Sequence, residues 1–295
     1  MLRINASELE DVLFAVEEVV LNRESSEKDV QELLLSSRRQ TSALPKAFLQ
    51  ELLRVTKVLL RPLRLGRLGR FVVLTGLDKS GKETQAFNNE CKPGIVSLSD
   101  YFVNKSFEVY RLALPSYGTT FGSLIASYLG KENSSTNIVG NLSKNTAWIL
   151  WSLDRAQHNP EIEKWLEGDR KKIVVSKRWT ETNIAYQKPQ GIDEKRMLCF
   201  ERNLAKADYT IVLDVPLDSV FSRMITSGEV PDRYETRDFL SGVSDVYRNL
   251  EKFYRVGKVL HIDGSGSFEE VNRKLVGTAE DILSELPQTI SERSC

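Results

Sequence analysis

The chain has 295 residues, of which 41% are hydrophobic and 28% are charged, and its 41 basic residues balance its 41 acidic residues. This composition excludes a disordered or fibrous protein, and the zero net charge gives no whole-protein attraction to nucleic acid or to a membrane surface. No apolar run approaches the ~20 residues that span a bilayer. We therefore expect no nucleic-acid partner and no membrane partner, in a chain long enough for one large domain plus an appendage.

The cysteines and histidines are too few and too scattered to build a metal site or a disulfide framework. Cys91, Cys199 and Cys295 are an odd number and far apart, and His158 and His261 have no partners at ligand spacing. The first residues are acidic and lack the charged-then-apolar pattern of a secretory signal. We expect a cytoplasmic protein without structural zinc.

Residues 1–69 form a compositional region of their own, which we interpret as a helical extension followed by a basic linker. Apolar residues between Leu9 and Val20 recur at helical spacing, and a second helix is predicted to begin at Pro45. Proline and glycines then end regular helix in the arginine-rich run 61–70. These arginines could bind phosphate or RNA, although a solvated linker is the favoured interpretation.

From residue 70 the pattern changes to short β-branched runs that alternate with helical stretches. Five of these runs are near-continuously apolar, and they span residues 71–75, 109–114, 172–176, 209–213 and 258–262. Runs of this kind belong in a parallel sheet whose two faces are both covered by helices. The sequence therefore predicts an α/β domain over residues 70–295, built on a five-stranded parallel sheet.

A candidate phosphate-binding loop follows the first of these strands directly. Gly76, Gly81 and Lys82 have the spacing of a P-loop, in which glycines let successive amides surround a phosphate and the lysine reaches the outer phosphates. The alternative is a glycine-rich surface turn. The usual serine or threonine after the lysine is replaced by Glu83, whose carboxylate could hold magnesium instead. The residues predicted to bind ATP are Gly76, Leu77, Asp78, Lys79, Ser80, Gly81, Lys82, Glu83 and Thr84.

The loop and the segments after it resemble the thymidylate kinase family. Residues 75–85 look like that family's P-loop, and similar segments follow in the family's order at residues 114–122, 151–155, 176–187, 232–235 and 263–268. The resemblance covers roughly residues 70–286 and implies a P-loop nucleoside monophosphate kinase fold. It also implies Mg²⁺ as cofactor and ATP and dTMP as partners, with transfer of the ATP γ-phosphoryl group to dTMP to give dTDP.

The resemblance also implies roles for individual residues. Asp78 would reach the substrate sugar, Trp151 would stack on the thymine, and a lid around residues 222–240 would close over the phosphates. The implied substrate-binding residues are Asp78, Pro115, Tyr117, Trp151, Arg155, Asn183, Tyr186 and Gln187. The implied catalytic residues are Lys82, Lys79, Arg155, Arg178 and Arg233. Spacing alone places Trp148, Trp151 and Arg155 on one face of a helix. Without the resemblance, two core tryptophans beside a surface arginine are favoured over a substrate-binding face.

Two positions depart from the family pattern. Lys177 stands where the family has an aspartate that helps to organise metal and substrate, and Glu83 adds a carboxylate. We hypothesise that the two form an ion pair, because both loops border the phosphate site. Such a pair could preserve catalysis in a rearranged site, or it could close the site to magnesium. The second outcome would make the chain a catalytically weak nucleotide-binding protein that acts through a partner or an assembly.

The resemblance further implies a homodimer as one assembly, since the family is commonly dimeric through helices of the kinase domain. The amino-terminal helices would either reinforce that dimer or cover its surface. The sequence leaves both outcomes open.

Overall fold

The fold alternates strands and helices along most of the chain. The computed structural model describes residues 2–22, 24–26, 28–30, 32, 44–64, 66–131, 134–228 and 232–285. Within these ranges the strands are β1 (Leu2–Asn5), β2 (Arg70–Gly76), β3 (Glu108–Ala113), β4 (Thr136–Val139), β5 (Lys172–Lys177), β6 (Tyr209–Asp214) and β7 (Lys258–Asp263). The helices are α1 (Ala6–Leu21), α2 (Lys46–Leu60), α3 (Lys82–Phe87), α4 (Leu98–Asn104), α5 (Thr120–Leu129), α6 (Lys144–Ala147), α7 (Ile149–Glu167), α8 (Glu181–Gln187), α9 (Glu194–Phe200), α10 (Leu217–Ser227), α11 (Arg237–Arg248), α12 (Leu250–Phe253) and α13 (Phe268–Ser284).

Five strands form one parallel sheet in the order β3-β5-β2-β6-β7. They are the five strands predicted from the apolar runs, so the predicted parallel sheet flanked by helices is confirmed. Alternate residues of β2 point to opposite faces of the sheet, and each face packs against its own hydrophobic core. Phe71 and Val73 lie in one core, and Val72 and Leu74 lie in the other. All four side chains are fully buried, which explains why these positions are apolar.

The two predicted amino-terminal helices are present as α1 and α2, and they share a core with the sheet. Helix α2 packs along α7, and its Leu52 and Val55 are fully buried in the same cluster as Phe71 of β2. A short strand that the sequence analysis missed also joins this region to the rest, because β1 pairs in parallel with β4. The amino-terminal helices are thus packed against the sheet-bearing part of the chain.

The arginine-rich segment after α2 is anchored by ion pairs. Arg61 pairs with Glu163 of α7, and Arg67 contacts Asp208 at 2.8 Å between Nη2 and Oδ1. Asp208 also accepts the backbone N–H of Phe71 at 2.7 Å, so the pair lies at the start of the central strand. Arg61 and Arg67 are held by acidic side chains, whereas Arg64 and Leu68 of the same segment are exposed. The interpretation of this segment as a solvated linker stays a prediction.

Three further predictions concern membrane-spanning helices, metal sites and residues that lie outside the described ranges. No described helix is long and apolar enough to cross a membrane. Among the same residues, no group of three or more His, Cys, Asp or Glu side chains is placed to hold a metal ion. Cys295 and residues 229–231 of the predicted lid lie outside the described residues.

The predicted phosphate-binding loop lies between a buried strand and a helix, as its mechanism requires. Gly76 ends β2, and Lys82 begins α3. Helix α3 is only six residues long, because Asn88 takes a left-handed conformation with φ 47° and the chain turns away there. The helix therefore ends five residues before Pro93.

Candidate active site

A cavity of about 590 Å³ opens beside the loop that follows β2 and the carboxyl end of β5. Its wall is made by that loop, by parts of α7 and α8, and by residues of the predicted lid. The predicted site residues that line it are Asp78, Lys79, Gly81, Lys82, Glu83, Pro115, Tyr117, Trp151, Arg178, Asn183, Tyr186 and Gln187. The other predicted site residues lie outside the cavity lining: Gly76 at the end of β2, Leu77 and Ser80 in the loop, Thr84 in α3, and Arg155 and Arg233.

Two polar side chains, Ser80 in the loop and Lys82 at the start of α3, lie where the sequence analysis expects a phosphate. Lys82 is 5% exposed and its Nζ donates to the Leu77 carbonyl at 2.7 Å, which folds the lysine back over the loop. The hydroxyl of Ser80 is buried and has no hydrogen-bond partner within the described residues. A buried hydroxyl without a partner is unfavourable, so a phosphate oxygen arriving here would satisfy it. Gly81, with φ 88°, supplies the left-handed turn into α3.

In the free protein, the Lys82 ammonium loses its proton more readily than an exposed lysine does. Burial lowers the pKa of the Lys82 ammonium to about 7, and the positive charges of Arg178 and Lys177 act in the same direction. Asp78 opposes them from 3.4 Å. A phosphate near Lys82 would therefore raise this pKa and draw a proton onto the lysine.

Asp78 connects the loop to the other side of the cavity. It forms an ion pair with Arg178 and accepts a hydrogen bond from the Tyr186 hydroxyl at 3.0 Å. Burial alone would raise the pKa of the Asp78 carboxyl, but the charges of Arg178 and Lys82 hold it well below its usual range. Asp78 is therefore ionised at neutral pH and fixes the positions of two predicted site residues.

Arg178 has an unusual backbone conformation at the end of β5. Its φ of 69° lies in the left-handed region that non-glycine residues rarely adopt. Its N–H donates to the Leu74 carbonyl of β2 at 3.0 Å, and its side chain pairs with Asp78. The guanidinium also lies 5.9 Å from the centre of the Tyr186 ring. These contacts hold the arginine at the cavity in spite of the strained backbone.

Glu83 and Lys177 form the ion pair that the sequence analysis hypothesised. Asn89 donates a second hydrogen bond to the Glu83 carboxylate at 3.1 Å. Burial lowers the pKa of the Lys177 ammonium and the charge of Arg178 lowers it further, while Glu83 acts in the opposite direction. The two residues that depart from the family pattern therefore compensate one another electrostatically.

The residues present can accommodate a magnesium ion. Magnesium is commonly bound by one or two carboxylates together with substrate phosphates rather than by a complete protein cage. The Glu83 side chain is 46% exposed and lines the cavity beside the phosphate-binding loop. It fits this use once its carboxylate is released from Lys177.

Aromatic side chains form the opposite wall of the cavity. Trp151 lies at 8% exposure on α7, with its ring centre 6.0 Å from that of Tyr234. Tyr234 in turn lies 6.0 Å from Tyr186 and stacks on Phe239 at 5.0 Å. The neighbouring Trp148 is fully buried in the core. Of the two tryptophans on this helix face, only Trp151 lines the cavity.

Arg155 and Arg233 are placed differently from the other predicted catalytic residues. Arg155 is 2% exposed, and it donates to the Trp179 carbonyl at 2.8 Å and to Glu201 at 2.9 Å. Arg233 is exposed and its guanidinium lies 3.9 Å from the centre of the Tyr128 ring. Their roles toward the substrate stay predictions, because neither side chain reaches the cavity lining in this structure.

The sequence analysis missed some residues that the fold brings to the site. Lys131 lines the cavity with its Nζ 4.7 Å from the centre of the Tyr117 ring, and Lys92 lies 4.4 Å from the ring of Phe268. Glu201, the partner of Arg155, was also missed. No local motif marks these residues, because each partner is distant in the sequence.

Comparison with known proteins identifies the family to which this chain belongs. The family model for thymidylate kinase matches residues 74–275, which is more than half of the chain. The chain is 28% identical over 211 residues to thymidylate kinase of Plasmodium falciparum, a match that covers 70% of this chain and 88% of the relative. It is 27% identical over 220 residues to a probable thymidylate kinase of Thermococcus gammatolerans, covering 74% and 99%.

A solved structure supports the same fold. The structure of thymidylate kinase from Candida albicans superimposes with a TM-score of 0.53 at 20% identity, and the match covers 74% of this chain and 93% of that one. The family match spans the end of β2, all of β3, β4, β5, β6 and β7, the phosphate-binding loop and the aromatic wall described above. The chain belongs to the thymidylate kinase family.

Proposed function

We propose that this protein transfers the γ-phosphoryl group of ATP to dTMP and forms dTDP. The observation that carries the proposal is a single cavity that joins a P-loop to a wall of aromatic rings. Lys82 and Arg178 supply positive charge on one side, and Trp151 and Tyr186 supply flat apolar surface on the other. A cavity of this kind can hold the phosphates of one nucleotide close to a second nucleotide that is bound through its base.

Positioning and charge neutralisation are what phosphoryl transfer chiefly requires. Lys82, Lys79 and Arg178 would neutralise the transferring phosphoryl group, and Ser80 would donate a hydrogen bond to it. Arg223 supports this loop, because its Nη1 donates to the Lys79 carbonyl at 3.0 Å. Closing of the lid over the phosphates would exclude water, which otherwise competes as acceptor.

The proposal includes ATP as co-substrate and Mg²⁺ as cofactor. Magnesium, when bound, neutralises phosphate charge and orients the transferring group. Glu83 would hold it through its carboxylate, together with the phosphates of ATP. Lys177, once released from Glu83, would keep its ammonium beside the same phosphates.

The monophosphate would be placed by the aromatic side of the cavity. We propose that Trp151 stacks on the base and that Tyr186, held by Asp78, packs against the sugar. Pro115, Tyr117 and Gln187 complete the substrate wall. Arg155 would act indirectly, by holding Glu201 in place. Arg233 would reach the phosphates when the lid closes.

The cellular setting and the assembly are part of the proposal. A cytoplasmic location gives access to both nucleotides, and no nucleic-acid partner is needed for the reaction. A homodimer stays a prediction. Helix α2, which packs along α7, would either lie beside the dimer interface or cover it.

A turnover assay tests the proposal. Purified protein, ATP and magnesium are incubated with each deoxynucleoside monophosphate in turn, and diphosphate formation is followed. We expect dTDP, and we expect Lys82→Ala to abolish it while Lys258→Ala, which removes an exposed lysine paired with Glu285, leaves it unchanged. Binding of ATP and dTMP without formation of dTDP would instead assign the chain a nucleotide-binding role.

A further inference from the structure

Three buried hydroxyl groups, which we call the hydroxyl row, connect the phosphate-binding loop to two other parts of the candidate site. They belong to Thr75, the residue of β2 directly before Gly76, to Thr182 on α8 and to Tyr247 on α11. The Tyr247 hydroxyl lies 3.0 Å from Thr75 Oγ1, and Thr75 Oγ1 lies 3.4 Å from Thr182 Oγ1. All three side chains are buried. The row therefore joins the strand before the loop to the helix after β5 and to α11, whose first residues belong to the predicted lid.

The direction of the hydrogen bonds in the row is set at its Thr182 end. Thr182 donates its hydroxyl hydrogen to Glu181 Oε1 at 2.8 Å. A threonine hydroxyl has one hydrogen, so within the row Thr182 accepts from Thr75, and Thr75 in turn accepts from Tyr247. The donors thus run in one direction, from Tyr247 through the two threonines to Glu181.

The Glu181 end of this path supports the turn that contains Arg178. The Oε1 atom of Glu181 also accepts the backbone N–H of Trp179 at 3.0 Å. Trp179 directly follows Arg178, whose left-handed backbone, with φ 69°, persists only where its surroundings hold it. Because Glu181 is fully buried, its carboxyl group is a fixed anchor for this turn. The turn in turn directs the Arg178 guanidinium toward Asp78.

The Tyr247 end of the path lies on α11, which the aromatic wall also holds. The ring centre of Tyr247 lies 6.4 Å from that of Tyr186, and Tyr186 lies 6.2 Å from Phe239 in the first turn of α11. Phe239 stacks on Tyr234 of the predicted lid. Aromatic contacts therefore connect α11 to the substrate wall, and the Tyr247 hydroxyl connects it to the strand that enters the phosphate-binding loop.

We propose that Tyr247 is a positioning residue for phosphoryl transfer, an inference that rests on the proposed function. Its hydroxyl ties α11 to Thr75 and, through Glu181, to the turn of Arg178. Tyr247 does not line the cavity, so it acts on the alignment of Lys82 and Arg178 and contacts neither nucleotide. Phosphoryl transfer depends on alignment, since a displacement of about 1 Å can cost on the order of a hundredfold in rate. Tyr247 therefore affects the rate of transfer more than the binding of either nucleotide.

Steady-state kinetics of dTDP formation test this assignment with variants that each remove one hydroxyl. For Tyr247→Phe, which keeps the ring, we expect kcat to fall about tenfold, while KM for ATP and for dTMP changes less than about threefold. Thr75→Val should lower kcat similarly, whereas Thr75→Ser, which keeps a hydroxyl, should retain it. Tyr209→Phe is the matched control and should leave kcat unchanged, because the Tyr209 hydroxyl donates to Glu285 at 2.9 Å from the first residue of β6.

A double variant distinguishes positioning from a general loss of stability. If Tyr247 acts through Thr75, Tyr247→Phe combined with Thr75→Val lowers kcat no further than either change alone. Losses in kcat that multiply would overturn the connection between these two residues. Wild-type kcat in Tyr247→Phe would overturn the positioning role, even if thermal denaturation shows a loss of stability, and it would leave the proposed function intact. An equal fall of kcat in Tyr209→Phe would also overturn it.

The threonine variants keep the test decisive should Tyr247→Phe fail to fold. Equal kcat in Thr75→Val and Thr75→Ser then overturns the role of the hydroxyl row, and a lower kcat in Thr75→Val alone supports it. Absence of dTDP formation by the wild-type protein contradicts the proposed function itself, and the inference with it.

Discussion

Glu83 in the first turn of α3 is paired with Lys177, the last residue of β5, which is the neighbour of β2 in the sheet. Relative to the family pattern, a carboxylate is gained at Glu83 and an aspartate is replaced by Lys177, so these two positions together carry no net charge. The pair lies beside Lys82, where the phosphates of ATP are expected. In the proposed function, magnesium would therefore compete with Lys177 for the same carboxylate.

We predict that Lys177→Met tightens magnesium binding. Removing the ammonium frees Glu83 to act as a ligand. Because Glu83 is nearly half exposed, the expected gain is modest, about two- to fivefold. It is measured by titrating Mg²⁺ into protein saturated with a non-hydrolysable ATP analogue, with Lys258→Met as the control. Unchanged magnesium affinity in Lys177→Met would show that Glu83 does not hold the metal.

ATP binding is predicted to weaken as the pH rises above 7. The pKa of Lys82 is lowered to about 7 in the free protein, and bound phosphate raises it. Below that pH the lysine is already protonated and affinity is unaffected. Above it, binding must take up a proton, so affinity falls by up to about tenfold per pH unit until the pKa of the bound state is reached.

Proton uptake can be measured directly by calorimetry at pH 8 in two buffers of different ionisation enthalpy. We expect close to one proton per ATP for the wild-type protein. Lys82→Arg should bind ATP without this uptake, because a guanidinium stays charged throughout the range. Identical proton uptake in the variant would assign the effect to another group.

Arg155→Met is predicted to destabilise the protein strongly. It leaves Glu201 buried without its guanidinium partner, and breaking a buried pair in this way costs about 3–5 kcal/mol. Chemical denaturation measures the change. Arg64→Met provides the control, since Arg64 and Glu167 form an exposed pair for which a loss below about 1 kcal/mol is expected. Equal small losses in both variants would contradict the structural role of Arg155.

The amino-terminal helices are predicted to unfold together with the sheet. Leu52 of α2 is fully buried in the cluster that contains Phe71 of the central strand. Leu52→Ala should therefore lower the main thermal transition, with a loss of about 2–5 kcal/mol. Leu153→Ala, a fully buried leucine of α7, should shift the same transition. A separate early transition for Leu52→Ala alone would instead establish residues 1–69 as an independent unit.

The sheet and the phosphate-binding loop could be predicted because their signals are local. A strand buried on both faces is apolar along most of its length, and the loop follows such a strand directly. The Glu83–Lys177 pair could also be predicted from the sequence. Both residues follow or end neighbouring parallel strands, which brings their side chains to one edge of the sheet.

The remaining features depend on contacts between distant parts of the chain. Glu201 follows Arg155 by 46 positions, and no pattern around either residue reveals their pairing. The strand β1 has only four residues and becomes a strand by pairing with β4, more than a hundred positions later. The ion pair of Arg67 with Asp208 is equally remote in sequence.

Transfer of a radioactive γ-phosphate from ATP tests the central claim most directly. Protein, magnesium, dTMP and labelled ATP are mixed, and the labelled products are separated. Label in dTDP, lost in Lys82→Ala, is the predicted result, because the proposed function places the phosphates of ATP beside a monophosphate bound in the same cavity. Label that stays in ATP, or that appears only as free phosphate, would contradict the assignment of this protein as a dTMP kinase.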